Sequence, residues 1–240
     1  MKKRVISILL SVAMILALAA CGGQSGNTSS DTGTSDNSGA ASGDNSQTYE
    51  WSIATVLAAG TLYEDALNHF ADLLAEKSDG RIKLTVYMGG QLGSEKENIE
   101  ALQMNGLEFF MGSSASMSSF TDAFAVWDLP YLFPSTEAAR GVLDGECGQE
   151  VMDKLSATGV KGLAYFENGM YVIASKTPIR QLSDVSGMRV RCIESNVQTD
   201  TYKAFGANPV VLAWGDIYTA MSNGTCDAIS STSVTGIYSA

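Results

Sequence analysis

The chain has 240 residues, with 15 basic and 26 acidic side chains, a formal net charge of −11 and 45% apolar residues. So acidic a balance argues against nucleic acid and against anionic lipid surfaces as partners. One histidine, His69, and four cysteines (Cys21, Cys147, Cys192, Cys226) with no Cys-x-x-Cys pair supply no ligand set for zinc or haem, so neither a metal nor another cofactor is expected.

The N-terminus reads as a targeting segment. Lys2, Lys3 and Arg4 precede an apolar run from Val5 to Ala20, and Leu18-Ala19-Ala20-Cys21 has the form of a lipobox. This predicts a signal peptide over 1–20 and lipidation of Cys21, which would place the mature chain outside the cytoplasm, anchored to the cell membrane by its lipid. The alternative is ordinary cleavage with Cys21 incidental. Residues 22–48 carry no large apolar side chain, so 21–48 reads as a lipidated cysteine followed by a flexible linker with a reach of about 30 Å. Loss of 1–20 leaves 12 basic against 26 acidic groups, a balance of −14, and an anionic ligand then needs a local cation.

From Tyr49 onward, strand and helix signals alternate, the pattern of an α/β architecture. Glu50 to Val56 reads as a strand. Leu62 to Lys77 carries apolar residues at helical spacing with Gly80 beyond its end, and Arg81 to Tyr87 alternates as a second strand. After the Gly89-Gly90-Gln91-Leu92-Gly93 turn, Ser94 and Glu97 form a capping-box pattern that opens a helix ended by Asn105-Gly106. Leu107 to Gly112 reads as a central strand with a serine-rich exit at 113–119. Trp127 to Pro134 reads as a packed aromatic crossover, followed by two short helices near 136–143 and 148–157. Strands are expected at Lys161 to Glu167, Tyr171 to Ser175, Met188 to Ile193, near Val210 and at Asp227 to Ser230, with helices near 196–205 and from Asp216 to Ser222.

Five stretches carry a resemblance. Tyr49 to Val56, Gly-Gly-Gln-Leu-Gly-Ser-Glu (89–95), Asp-Leu-Pro-Tyr-Leu-Phe (128–133), Gly-Met-Arg-Val-Arg (187–191) and Gly-Ala-Asn-Pro-Val (206–210) resemble landmarks of the solute receptors of TRAP transporters, the dicarboxylate-receptor (DctP-type) family, in that family's order. The resemblance extends over nearly the whole body. It implies an α/β, two-domain periplasmic-binding-protein-like fold with a ligand cleft. On this basis 49–165 is mainly the first domain and 166–240 mainly the second, the latter incomplete, since family members run about a hundred residues past Ala240. It also implies a binding receptor and not an enzyme, with a small organic acid as ligand and the transporter's membrane subunits as partners.

Candidate ligand residues follow residue by residue. Arg191 ends a strand, and its guanidinium is a fork for a carboxylate; the resemblance makes it the ligand clamp. Read from the residues alone, it is equally a strand-end arginine paired with Glu194 or Asp227. Trp214 resembles the aromatic that packs on the ligand, or else anchors the helix from Asp216. Glu194 and Ser231 match ligand-contacting positions, although Ser230-Ser231-Thr232-Ser233 departs from the family's Gln-Glu-Asn-Pro. Glu95 sits at a helix start, where the dipole alone favours a carboxylate, and Ser113 sits at a strand end, where open α/β sheets bind ligands. Tyr171 stands where many relatives carry a second arginine. That loss of a cation points from a dicarboxylate toward a monocarboxylate bearing hydroxyls, such as a sugar acid.

An enzyme would need a nucleophile with a base or a proton-transfer pair. His69 between Asn68 and Phe70 reads as structural, and no Gly-x-Ser-x-Gly, metal or phosphate-loop motif occurs. The competing binding readings are the substrate-binding lipoprotein of an ATP-driven (ABC) importer and a surface adhesin on the same anchor. Cys192 and Cys226 could pair as a disulfide or remain buried thiols.

Overall fold

The computed structural model describes residues 47–232. The signal segment read at 1–20, the lipidation site at Cys21 and nearly all of the 21–48 linker lie outside the described residues, as do 233–240.

Two sheets organise the chain. The first is three-stranded and parallel: β1 (Tyr49–Ala54) lies between β2 (Ile82–Tyr87) and β3 (Phe109–Phe110), with Tyr49 level with Ile82 and Ile53 level with both Val86 and Phe109. α1 (Leu62–Lys77) joins β1 to β2. Glu64 and Asp65 in its first turn and Lys77 in its last complement the helix dipole. The chain leaves it through Asp79 and Gly80, both in the left-handed region, as the Gly80 amide bonds back to the Ala75 carbonyl at 2.8 Å. Ile53, Leu67 and Met88 form the core beneath this sheet, flanked by Leu57, Leu84, Val86 and Phe109.

α2 (Glu95–Gln103) follows β2, and its capping box is formed. The Glu97 amide donates to Ser94 Oγ at 3.4 Å, and Glu97 Oε2 accepts from the Ser94 amide at 2.7 Å. Gly93 enters at φ 118°, and a Cβ there would come within 2.9 Å of Glu97 Oε2, so the turn needs glycine. After β3 come α3 (Ser114–Met117), a 3-10 helix at Asp122–Asp128, α4 (Thr136–Leu143) and α5 (Glu146–Asp153), which pack around Phe124, Met152 and Leu155.

The second sheet has the order β4-β7-β5-β6, from β4 (Tyr171–Ser175), β5 (Arg189–Cys192), β6 (Asn208–Val211) and β7 (Ala228–Thr232). β5 runs parallel to β6 and β7, whereas β4 pairs antiparallel with β7, bringing Tyr171 opposite Thr232. α6 (Asn196–Ala204) and α7 (Ile217–Ser222) connect the parallel strands. Val190, Cys192 and Ala228 are fully buried in this core beside Val185, Tyr202 and Ala207. Arg189 and Asp227 stitch β5 to the entry of β7: Asp227 accepts from Arg189 Nε at 2.9 Å and Nη2 at 2.7 Å. These bonds hold the Asp227 carboxyl down at about 2.

Several sequence expectations are corrected. Lys161 to Glu167 forms no strand; a period-2 pattern supplies a pleat but not the neighbouring strand a ladder needs, and Leu163 and Phe166 are exposed. The strand expected over 107–112 pairs with β1 only at Phe109 and Phe110, and the serine-rich exit closes into α3 because Ser113 Oγ caps the Ala115 amide at 3.1 Å. The aromatic crossover is packed in part: Trp127 stacks on Phe133 at 6.1 Å, while Tyr131 turns outward at φ 60°. Cys192 and Cys226 are free and buried.

Ile99 is fully buried on α2, the helix that carries Glu95. Ile99→Ala should destabilise the fold by about 2–5 kcal/mol in chemical denaturation, the range for emptying a buried aliphatic site.

Candidate functional site

The parallel strands of both sheets end toward one group of polar side chains. Ser113 follows β3, Arg191 is the penultimate residue of β5, Trp214 follows β6, and Ser230 and Ser231 lie in β7. Because β4 is antiparallel, its first residue, Tyr171, lies at this same end. Open α/β sheets place ligands at such carboxyl ends, where loops and helix starts converge.

Arg191 is the centre of the group, with only 3% of its surface exposed. Its Nε and Nη2 donate to the Leu212 carbonyl at 2.9 and 2.7 Å, and Nη1 reaches the Ser230 carbonyl at 3.5 Å. These bonds occupy three of the five guanidinium N–H groups. The indole of Trp214 lies 5.6 Å from Arg191 Cζ, within cation–π range. Both alternative partners are taken elsewhere: Asp227 by Arg189, and Glu194 by Lys96 at 3.2 Å. Among the described residues no carboxylate comes within ion-pair distance of Arg191. Burial accordingly presses its pKa down, opposed by the more distant charge of Glu95.

Glu95 is held in place at the start of α2. Its Oε1 accepts from the Ser113 amide at 2.8 Å, and its Oε2 accepts from the Ser116 hydroxyl. The carboxylate thus ties α2 to the exit of β3 and faces the guanidinium from the first sheet. Tyr171 keeps 42% of its surface open, yet its phenol is hemmed in by protein, as befits a side chain lining a cleft. Burial first and the charge of Asp128 second push the phenol pKa up, with Ser113 and Gln198 opposing the shift through hydrogen bonds. The phenol is therefore a neutral donor at every physiological pH.

Arg191, Trp214, Glu95, Ser113 and Tyr171 are thus brought together, with Ser231 buried on the adjacent strand. Glu194 is not brought in. It is exposed, its carboxylate pairs with Lys96, and its carbonyl accepts from Ser119 Oγ at 3.0 Å.

Sequence reasoning missed Asp128, Ser195 and Gln198. Asp128 ends the 3-10 helix with 6% exposure, and its Oδ2 accepts from Ser195 Oγ at 2.6 Å. Ser195 caps α6, and Gln198 stands in that helix's first turn at 5% exposure. Asp128 and Gln198 lie beside each other, with no bond of ordinary length to Asp128 Oδ1 or Gln198 Nε2. The available signal was a lone carboxylate inside the apolar Trp-Asp-Leu-Pro segment, a place where an acid needs a reason.

These features define a two-domain, periplasmic-binding-protein-like architecture with a cationic, carboxylate-sized fork at the strand ends. Comparison with known proteins gives the family. Residues 53–239 match the model of bacterial extracellular solute-binding protein, family 7 (DctP), and the chain belongs to that family. It is 34% identical over 185 residues to the C4-dicarboxylate-binding protein DctB of Bacillus subtilis (strain 168), covering 77% of this chain and 53% of that one. The sugar acid binding protein DctPAm of Advenella mimigardefordensis strain DPN7T, in complex with galactonate, superposes with a TM-score of 0.76 at 31% identity, covering 79% of this chain and 61% of that one. A TRAP periplasmic solute binding protein of Polaromonas sp. JS666 bound to D-erythronate gives a TM-score of 0.77 at 31% identity, covering 80% and 64%. The chain therefore spans about half the length of the curated relatives it matches.

Burial raises the Asp128 carboxyl above its ordinary 3.8, with Ser195, Gln198 and Tyr171 partly offsetting this by hydrogen bonding. A carboxyl with a raised folded pKa favours the folded state while protonated, and this contribution is lost as pH rises from about 4 through the raised value. Asp128→Asn should remove that loss: in pH-resolved thermal denaturation, its midpoint relative to wild type should rise as pH increases from 3 to 7.

Proposed function

We propose that this protein is the extracytoplasmic receptor of a TRAP-type secondary transporter, capturing a small organic acid and delivering it to the membrane subunits. The observation that carries the reading is Arg191: a buried guanidinium, held by carbonyls and an indole, with no carboxylate in ion-pair range among the described residues. Burying a charge is costly unless it is paired, and an incoming carboxylate supplies the pair. Family membership supports the receptor reading over an ABC-importer lipoprotein, and family members are binding proteins rather than enzymes. The galactonate- and erythronate-bound structures support an acid ligand.

In this reading Arg191 grips the carboxylate, Trp214 lies along the carbon skeleton, and Glu95, Ser113, Tyr171 and Ser231 meet polar groups of the ligand. With tyrosine at 171 the site offers one guanidinium, which suits a sugar acid or other hydroxylated monocarboxylate. Residues 49–165 and 166–240 act as the two mobile halves, and a ligand that touches both favours the closed form. Closure then presents the surface recognised by the membrane subunits. Residues 1–20 serve as the signal peptide, and lipid on Cys21 anchors the receptor to the cell membrane through the 22–48 linker, in keeping with the lipobox pattern.

Calorimetry against sugar acids, keto acids and dicarboxylates tests the ligand class, and tighter binding of succinate than of any hexuronate or hexonate would refute the sugar-acid reading. Arg191→Ala should keep the fold and weaken binding of any acid by at least about 100-fold, as expected for removing one side of a buried charge pair. Retained affinity would reassign the clamp. Cys21→Ser should shift the protein from the membrane fraction to the soluble fraction of cells and abolish incorporation of labelled fatty acid.

A further inference from the structure

The guanidinium of Arg191 and the carboxylate of Glu95 stand on different sheets, so the site works only if the spacing between them is fixed. We propose that Asp128 is a positioning residue for this site: it touches no ligand atom, and it fixes the Arg191 side and the Glu95 side against each other. The inference rests on the receptor reading above and deepens it, because it names what keeps that same site in shape.

Asp128 ends the 3-10 helix of the first half and is 6% exposed, yet the donors around its carboxyl come from the second half. Its Oδ2 accepts from Ser195 Oγ at 2.6 Å, and that hydroxyl oxygen in turn accepts from the Gln198 amide at 3.4 Å as the cap of α6. The two bonds fix the first turn of α6 to the carboxyl. The Gln198 side chain and the Tyr171 phenol adjoin the same carboxyl and donate toward it. A carboxylate accepts through several lone pairs at once, so one side chain gathers donors from both α6 and β4. A buried acid without such donors would be costly.

Two arms run from Asp128 to the ligand groups. Along the first, Gln198 Oε1 accepts from Ser230 Oγ at 3.5 Å, and the Ser230 carbonyl accepts from Arg191 Nη1 at 3.5 Å. Along the second, the Tyr171 phenol adjoins Ser113, whose backbone amide donates to Glu95 Oε1 at 2.8 Å. One arm ends on the cation that grips the acid, the other on the carboxylate that faces it. Binding groups must be held to about 0.5 Å by the hydrogen bonds behind them, and here both sets of bonds lead back to one residue.

The role is geometric and not one of charge. The hydroxyls of Ser195 and Tyr171 can turn from donor to acceptor, so asparagine at 128, with one acceptor and one donor, meets the same neighbours. Alanine meets none of them. A residue acting through its charge would fail with asparagine as it does with alanine.

The test is calorimetry of the purified protein with D-galactonate, D-glucuronate and D-erythronate, on wild type, Asp128→Asn, Asp128→Ala, Ser195→Ala and Leu67→Ala. Leu67 lies in the core beneath the first sheet and serves as the control for lost stability. Asp128→Ala should weaken binding at least tenfold and Asp128→Asn less than threefold. Ser195→Ala, which cuts the same tie from the other half, should cost at least threefold. Leu67→Ala should leave affinity within twofold while lowering the thermal midpoint. Wild-type affinity in Asp128→Ala or Ser195→Ala, or equal losses in Asp128→Ala and Asp128→Asn, overturns this inference alone, provided Arg191→Ala still abolishes binding. A wild-type protein that binds no acid overturns the receptor reading and this one together. A crystal structure of the wild-type complex gives a measure that does not depend on how the variants fold. It should show no ligand atom within about 3.2 Å of the Asp128 carboxyl; a ligand oxygen bonded there makes Asp128 a contact residue and refutes the positioning role.

Discussion

An unpaired guanidinium in a protein interior is the constraint around which this molecule is arranged. Neighbouring cations are neutralised locally: Arg189 by Asp227, Lys96 by Glu194, and Arg140 by Glu167. Arg191 is held instead by carbonyl oxygens and an indole face, groups that orient it and lower the cost of burial without cancelling its charge. Carbonyl dipoles soften a buried charge but leave its field reaching outward, and that field attracts an acid in a molecule whose overall charge repels one.

Sheet topology explains why the remaining polar groups converge on that charge. Parallel strands deliver their carboxyl ends to one edge, so Ser113 and Trp214 arrive there from separate loops. A further parallel strand at the edge would have turned its amino end away. β4 runs antiparallel, so its first residue, Tyr171, arrives where the last residues of β7 lie. Polar links at the start of α6 join the two parts: Asp128 to Ser195, Ser119 to the Glu194 carbonyl, and Lys96 to the Glu194 carboxylate. Tyr63 to Asn168 and Arg140 to Glu167 add further links between them.

Local signals in the sequence reported local structure faithfully. The capping box at Ser94, the helical stripe of 62–77 and the alternation of 82–87 each depend on residues a few positions apart, and each formed within those bounds. The place of Arg191 near a strand end was legible because a strand followed by a turn into a helix is itself a local pattern, whereas its role and that of Trp214 rested on the family resemblance. What depended on partners was not legible. The run 161–167 has strand chemistry without a paired strand, and Glu194, two residues beyond the last strand residue Cys192, was drawn to Lys96 by a contact that sequence spacing does not encode. Asp128 and Gln198 were invisible for the same reason. Seventy residues separate them, and only the fold makes an aspartate in an aromatic segment and a glutamine in a helix's first turn into neighbours.

The charge balance at the strand ends favours one kind of anion. Arg191 contributes a single positive charge, and Glu95 already faces it from the first sheet. Tyr171 is held neutral and burial raises the Asp128 pKa, so neither supplies a second cation. Arg191 and Glu95 already balance, so a monoanion docking there leaves one net negative charge. A dianion would set three negative charges against one guanidinium in a setting where water screens them weakly. Neutral hydroxyls meet the same serines, phenol and amide without that repulsion, and each finds a donor or acceptor of matching sense. Electrostatics and hydrogen-bond complementarity both favour the proposed ligand, a single carboxylate on a chain of hydroxylated carbons.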